Sequence, residues 1–312
     1  MDSFFVHSPR AFPMAISHRE EIAPDAPTRL RNPHGPILQQ FLLRNVDANL
    51  FALSWLENHG VEPYRPGYFC FWGWFDDSRR LQAVCLDVSE RLLFIDSRSP
   101  ELARGFGNFF RSRASRFQHI VSRRQSVEPL WQTYSRSDSA RFVDARLIQH
   151  QRLYRLFPEH FRAPQEKQSG VRRGHIDELD PIFLASVQMH REETGEDPLE
   201  KNSSSFRRHV RHRIEKGRTF VWFDENRRLL FKADISTHCS LGAQISGVYT
   251  APQVRNQGLA TRAMADMCAE LFAEELPRLT LYVNRTNAAA RRVYEKLGFE
   301  FVTAYETIFV AD

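Results

Sequence analysis

Lysine is nearly missing from this 312-residue chain: 5 of its 43 basic residues are Lys and the rest are Arg. The arginines are spread along the whole length, so the net charge of +5 reads as a compositional habit and not as a binding patch. The densest run, Arg207 to Arg213, reads as a solvated helix face. Aromatics such as Phe109 and Phe110 follow core periodicity and do not alternate with Arg on a strand, which argues against a nucleic-acid partner. Cysteine is also scarce. Cys70, Cys85, Cys239 and Cys268 show no Cys-x-x-Cys or zinc spacing, so neither a disulfide scaffold nor a zinc site is expected, and the thiols read as reduced groups of a cytoplasmic protein. His209 and His212 have no carboxylate or third His beside them, so no metal is expected. No apolar run approaches the length of a bilayer and no hydrophobic leader opens the chain, which speaks against membrane insertion and secretion.

The length suits two domains. Residues 1–34 carry many prolines without periodicity and are expected to be mobile or strapped over another surface. A polar joint, Pro158 to Gly170, separates a front half, 35–163, from a back half, 164–312. The halves echo each other. Phe75-Asp-Asp-Ser-Arg-Arg-Leu81 and Phe223-Asp-Glu-Asn-Arg-Arg-Leu229 are near copies, each between two strand-like runs, so each reads as a hairpin turn. The alternative is two unrelated domains that share a turn by chance. In front, a strand at Leu92–Asp96, a helix at Pro100–Arg113, a short strand at His119–Val121 and a helix at Val127–Tyr134 capped by Ser126 follow in the order found behind.

The chemistry concentrates at residues 248–260. An extended run and a Pro-marked turn lead into Gly258, then into a helix whose Leu259, Ala263, Met267 and Leu271 share one face. First-turn amides of a helix have no intrahelical partner and sit at the positive end of its dipole, so this loop reads as an anion cradle. Arg255 is placed to add a charge-assisted bond, and Ala260 keeps the approach open. Downstream, Leu279–Val283 reads as a buried strand, Asn287 as the N-cap of a helix over Ala288–Leu297, and Gly298 as its C-cap.

This pair of segments, Arg255-Asn-Gln-Gly-Leu-Ala260 and Asn287-Ala-Ala-Ala-Arg-Arg-Val-Tyr-Glu-Lys-Leu-Gly-Phe299, resembles the GNAT superfamily of acyl-CoA-dependent N-acyltransferases over roughly Phe220 to Val310. The resemblance implies an α+β fold with a mixed, largely antiparallel sheet, here as tandem GNAT-like domains. The first is degenerate, because Ser97-Arg-Ser-Pro100 stands where the glycine loop would be. It implies acetyl-CoA as cosubstrate, with Asn256, Gln257, Gly258, Leu259, Ala260 and Thr261 around the diphosphate, Asn287 on the pantetheine arm and Tyr294 as proton donor. A backbone N–H at Val248 or Tyr249 would face the developing negative charge on the thioester oxygen. Among Glu192, Glu193 and Asp234, Glu193 is the candidate base. The expected reaction is direct attack of an amine in a ternary complex. A sensor or scaffold that binds acyl-CoA without turnover is the alternative. Acceptor sites of this family are built from loops, so neither the acceptor, the acyl length nor the oligomeric state follows from the fold.

Overall fold

The computed structural model describes residues 26–311 apart from 66, 136–142, 164, 166 and 168, so most of the segment expected to be mobile, residues 1–25, lies outside the described residues. The two copied turns close in the same way. In the first, Arg80 N–H donates to Asp76 Oδ1 at 2.9 Å and Asp76 N–H to Arg80 O at 3.0 Å, with Arg79 at φ 58°. In the second, Arg228 N–H donates to Asp224 Oδ1 at 2.7 Å and Asp224 N–H to Arg228 O at 2.9 Å, with Arg227 at φ 59°. An aspartate that bonds its own turn fixes the register of the strands it joins.

Those strands belong to one twelve-stranded sheet: β1 (Thr28–Arg29), β2 (Cys70–Phe75), β3 (Leu81–Val88), β4 (Leu92–Ser97), β5 (His119–Arg123), β6 (Ala145–Leu156), β7 (Arg172–Arg173), β8 (Thr219–Phe223), β9 (Leu229–Cys239), β10 (Gly242–Thr250), β11 (Leu279–Asn284) and β12 (Glu300–Val310). Their spatial order is β1-β2-β3-β4-β5-β12-β6-β11-β10-β9-β8-β7. Only β4–β5 and β10–β11 run parallel, one such pair in each half. Each half supplies its last strand to the other: β6 pairs with β11, β12 pairs with β5, and β6 and β12 lie against each other from Arg155–Glu300 to Ala145–Val310.

Among the described residues eight α-helices cover the sheet: α1 (Gly35–Leu42), α2 (Val46–His59), α3 (Pro100–Ser112), α4 (Arg124–Tyr134), α5 (Leu179–Thr194), α6 (Pro198–Glu215), α7 (Leu259–Ala273) and α8 (Ala288–Lys296). α1 and α2 pack Leu38, Phe41 and Leu53 on Phe71 and Phe94, while α3 and α4 pack Phe106, Phe110 and Leu130 on Cys85 and Ile95. Behind, α5 and α6 pack Ile182, Val187, Val210 and Ile214 on Val221, and α7 and α8 pack Met264, Met267, Leu271 and Tyr294 on Phe220, Phe231 and Ile245. The halves also meet through α2, where Asp47 accepts from Arg155 Nη1 at 3.1 Å and Arg278 Nη1 at 3.0 Å.

Three expectations are corrected. Within 1–34, residues 28–29 form an edge strand on β2 and Leu30 is buried, because its apolar side chain has a slot beside Gly73. α4 begins at Arg124, so Ser126 is not its cap: the Ser126 hydroxyl is buried and accepts from Ser97 N–H at 3.3 Å. The run Arg207–Arg213 is not wholly solvated, since Arg213 turns inward to Asp234 at 3.0 Å. Tyr134, at the end of α4, is buried with its hydroxyl donating to Ser115 O at 2.7 Å.

Candidate active site

α7 forms because Leu259, Ala263, Met264, Met267, Cys268 and Leu271 bury one face, and its N-cap is Gly258 at φ +73°. Asn256, two residues earlier, also has a left-handed backbone, φ 62°. No side chain caps this helix. Among the described residues no acceptor meets the main-chain N–H of Asn256, Gln257, Gly258, Leu259, Ala260 or Thr261. Alternating left-handed turns of this kind aim successive amides into one concavity. A Cβ placed on Gly258 would have no atom within 4 Å, so the space in front of the loop is open. These amides fit a diphosphate.

The equivalent end in the front half is closed. Ser99 Oγ accepts from Leu102 N–H at 3.3 Å, and Pro100 has no N–H to offer. The contrast extends to the parallel strands. β10 and β11 pair only at Ala243–Leu279, Gln244–Thr280 and Ile245–Leu281, after which β10 continues along β9 and β11 along β6. A wedge opens between Ser246–Thr250 and Tyr282–Asn284. β4 and β5 part after Phe94–Val121, but there Arg123 is ion-paired to Asp96, which also accepts from Asn49 Nδ2 at 2.7 Å. This buried cluster fills the front gap.

Around the back wedge the expected residues converge from three elements. β10 carries a bulge: Ser246 faces Asp234 and Tyr249 faces Lys232, so Gly247 and Val248 together oppose Ala233 alone. The Tyr249 ring is buried and its hydroxyl donates to Gln188 Oε1 at 2.8 Å. From α8, the Tyr294 ring is buried, while its hydroxyl has no partner among the described residues and is not one of the sealed unpaired atoms. Burial, then the charge of Glu193 and of Cys268, push its pKa well above the usual phenol value, so it holds its proton. From α5 comes Glu193. Glu193 is exposed, yet the protein around it raises its pKa by desolvation; Lys232 pulls it down and Glu192 adds to the rise. Its backbone carbonyl is held by Gln149 Nε2 at 3.0 Å.

Arg255 is placed otherwise than expected. Its Nη2 meets Glu192 Oε2 at 2.9 Å and Oε1 at 3.1 Å, and its Nε donates to Thr250 O at 2.9 Å. This pair is exposed, hence weak, and a phosphate can compete for it. Asn287 caps α8, its Oδ1 accepting from Ala290 N–H at 3.0 Å. Asn287→Ala is expected to lower stability by about 1 kcal/mol, read from urea unfolding, since it removes a cap from the helix that carries Tyr294.

Sequence reasoning missed one feature. Asp234 is no free base: it is fully buried, accepting from Lys232 Nζ at 2.6 Å, Arg213 Nη1 at 3.0 Å and Thr219 Oγ1 at 2.8 Å. Burial would raise its pKa, yet the charges of Lys232 and Arg213 and the hydrogen bonds from Lys232 and Thr219 hold it below the usual value. The available signal was two opposite charges on one face of an otherwise apolar strand, Leu230 to Ile235.

No helix among the described residues is long and apolar enough to cross a membrane, and no group of three or more metal-ligating side chains occurs among them. Comparison with known proteins places the wedge and cradle inside one family match: residues 187–299 fit the Acetyltransferase (GNAT) family. No curated protein matches the sequence. Among solved structures, a Drosophila protein is similar over 92% of this chain and 99% of its own, with TM-score 0.60 and 12% identity. A GCN5-related N-acetyltransferase from Sphaerobacter thermophilus is similar over 90% of this chain and 94% of its own, with TM-score 0.58 and 10% identity. A tandem GNAT protein from the clavulanic acid biosynthesis pathway is similar over 92% of this chain and 97% of its own, with TM-score 0.55 and 12% identity. At these identities the likeness is one of fold. Residues 187–299 match the model of the GNAT acetyltransferase family, and the chain as a whole is similar in fold to a tandem GNAT protein.

Proposed function

We propose that the protein is an acyl-CoA-dependent N-acyltransferase that moves an acetyl group to an amine, with its site in the back half. The observation that carries this reading is the run of six unpaired amides, 256–261, opening beside a wedge in the sheet that Tyr294 and Glu193 approach. Acyl-CoA supplies the acyl group as a thioester, which an amine can attack with release of the CoA thiol. Each protein group then has a task. The amides of 256–261 and the α7 dipole hold the diphosphate, and Arg255 exchanges Glu192 for phosphate. Val248 donates its N–H into the wedge, where negative charge gathers on the acyl oxygen. Glu193, with a raised pKa, takes the proton lost by the amine. Tyr294 gives its proton to the departing sulfur and regains one from solvent. Holding two reactants in line is worth several kcal/mol by itself, so this set needs no covalent protein intermediate.

The test is titration calorimetry with acetyl-CoA followed by a thiol-release assay against a panel of primary amines. Acetyl-CoA heat together with amine-dependent thiol release is the expected result. Absence of both retires the proposal. A second reading, an acyl-CoA-binding sensor, is favoured by the locked state of Asp234 and by a Tyr294 pKa far above that of a thiol. Tight binding with no thiol release for any amine would support it.

A further inference from the structure

We propose that Lys232 is a positioning residue that acts through the Gly247–Val248 peptide, holding and polarising the amide that faces the wedge; this rests on the acyltransfer reading above. Lys232 and Asp234 are essentially without solvent exposure, at 0% and 1%. Lys232 Nζ donates to Asp234 Oδ2 at 2.6 Å and to Gly247 O at 3.2 Å. An ammonium placed in a sheet interior is costly unless its donors are met, and of the two bonds recorded here one goes to a carboxylate on its own strand and the other to the bulge.

The geometry of the strand says what the second bond does. Ala251 N–H donates to Leu230 O at 2.9 Å, and Tyr249 is the partner of Lys232 two positions back. Backbone groups alternate sides along a regular strand, so Tyr249 N–H, like that of Ala251, turns toward β9; Val248 lies in the bulge, and the direction of its N–H follows from its own peptide, whose carbonyl is held by Lys232. In a trans peptide the carbonyl and the N–H point in opposite directions. Gly247 C=O and Val248 N–H belong to one such unit. Lys232 therefore grips the rear of the very peptide whose front is the donor. A cation on the oxygen draws electron density from the N–H and strengthens it as a donor.

Gly247 shows how closely the charged pair is built against this peptide. Its φ is +57°, and a Cβ there would sit 2.8 Å from Asp234 Oδ2 and 3.1 Å from Lys232 Nζ. Arg213 and Thr219 complete the shell of Asp234, at 3.0 and 2.8 Å. Two cations thus share one buried carboxylate behind the wedge. Lys232 is the one of these cations that also touches the peptide facing the wedge, and the charge of Glu193 acts on it as well.

Lys232→Met keeps an unbranched side chain, one atom shorter, and removes the charge. Three readouts are taken on the full chain: acetyl-CoA affinity by calorimetry, kcat with an amine found active on the wild-type protein, and the NMR shifts of Gly247 carbonyl carbon and Val248 amide proton without any ligand. The expected result is affinity within about twofold of wild type, kcat lower by on the order of 10- to 100-fold, and both resonances moved. An unchanged kcat, or unmoved resonances, overturns the role. Should Lys232→Met not fold because Asp234 is left with less compensation, Lys232→Met/Asp234→Asn removes both charges and carries the same expectations. Wild-type protein that neither binds nor turns over acetyl-CoA overturns the acyltransfer reading and this proposal together. Wild-type turnover matched by the variant overturns the role of Lys232 alone.

Discussion

Gly258→Asp is expected to weaken acetyl-CoA binding at least 100-fold, about 2.7 kcal/mol, while the protein stays folded. Gly258 faces open space at φ +73°, so an added Cβ meets no atom within 4 Å, and Asp is among the residues that tolerate a left-handed backbone. What it meets is the ligand. A carboxylate at the head of α7 takes up amides left free for a diphosphate and repels its charge. The front half already contains this arrangement, since Ser99 satisfies the first turn of α3 with its own hydroxyl. Calorimetry with acetyl-CoA and a thermal melt check the two halves of the statement. Wild-type affinity in the variant would remove the cradle from the argument.

Tyr294→Phe is expected to lower kcat by about 10²- to 10³-fold with acetyl-CoA affinity unchanged, because general acid catalysis contributes in that range and the ring alone supports packing. The ring is buried against Phe299, with centroids 5.8 Å apart, and its hydroxyl makes no bond that Phe would forfeit. Stability should move by less than about 1 kcal/mol. The raised pKa has a definite sign here: protonated phenol is the form that can donate, so wild-type kcat should not fall on the alkaline side near the usual phenol value of about 10. Steady-state rates alongside urea unfolding separate loss of chemistry from loss of fold. Equal kcat in both proteins would leave the sulfur's proton to water.

The glycine-headed start of α7 was legible because its causes are local. A glycine between a strand and an apolar-striped helix, with no capping side chain before it, can be read within a dozen residues. The duplicated turns were legible for the same reason, since Asp76 and Asp224 bond residues only four positions away. Asn287 announced itself as a cap through the apolar pattern of the helix behind it. The exchange of β6 and β12 was not legible. Ala145–Leu156 carries no local mark that says whether its neighbour is β5 or β11, and that choice is settled by contacts more than a hundred positions apart in sequence. Lys232 and Asp234 misled in a related way. Asp234 had been one of the possible bases, and only the arrival of Arg213 and Thr219 beside Lys232 fixes it as an interior ion-paired group. Arg255 behaves similarly, as Glu192 claims it from another helix.

The crossing-over of final strands makes the two halves mutually dependent for survival. A gene trimmed to the back half alone would encode a β11 with a bare flank where β6 had been, and a front half alone would leave β5 equally naked, each an invitation to clump with its own kind. A front half whose helix end is closed by Ser99 therefore still serves the back half, by covering the flanks of β11 and β12.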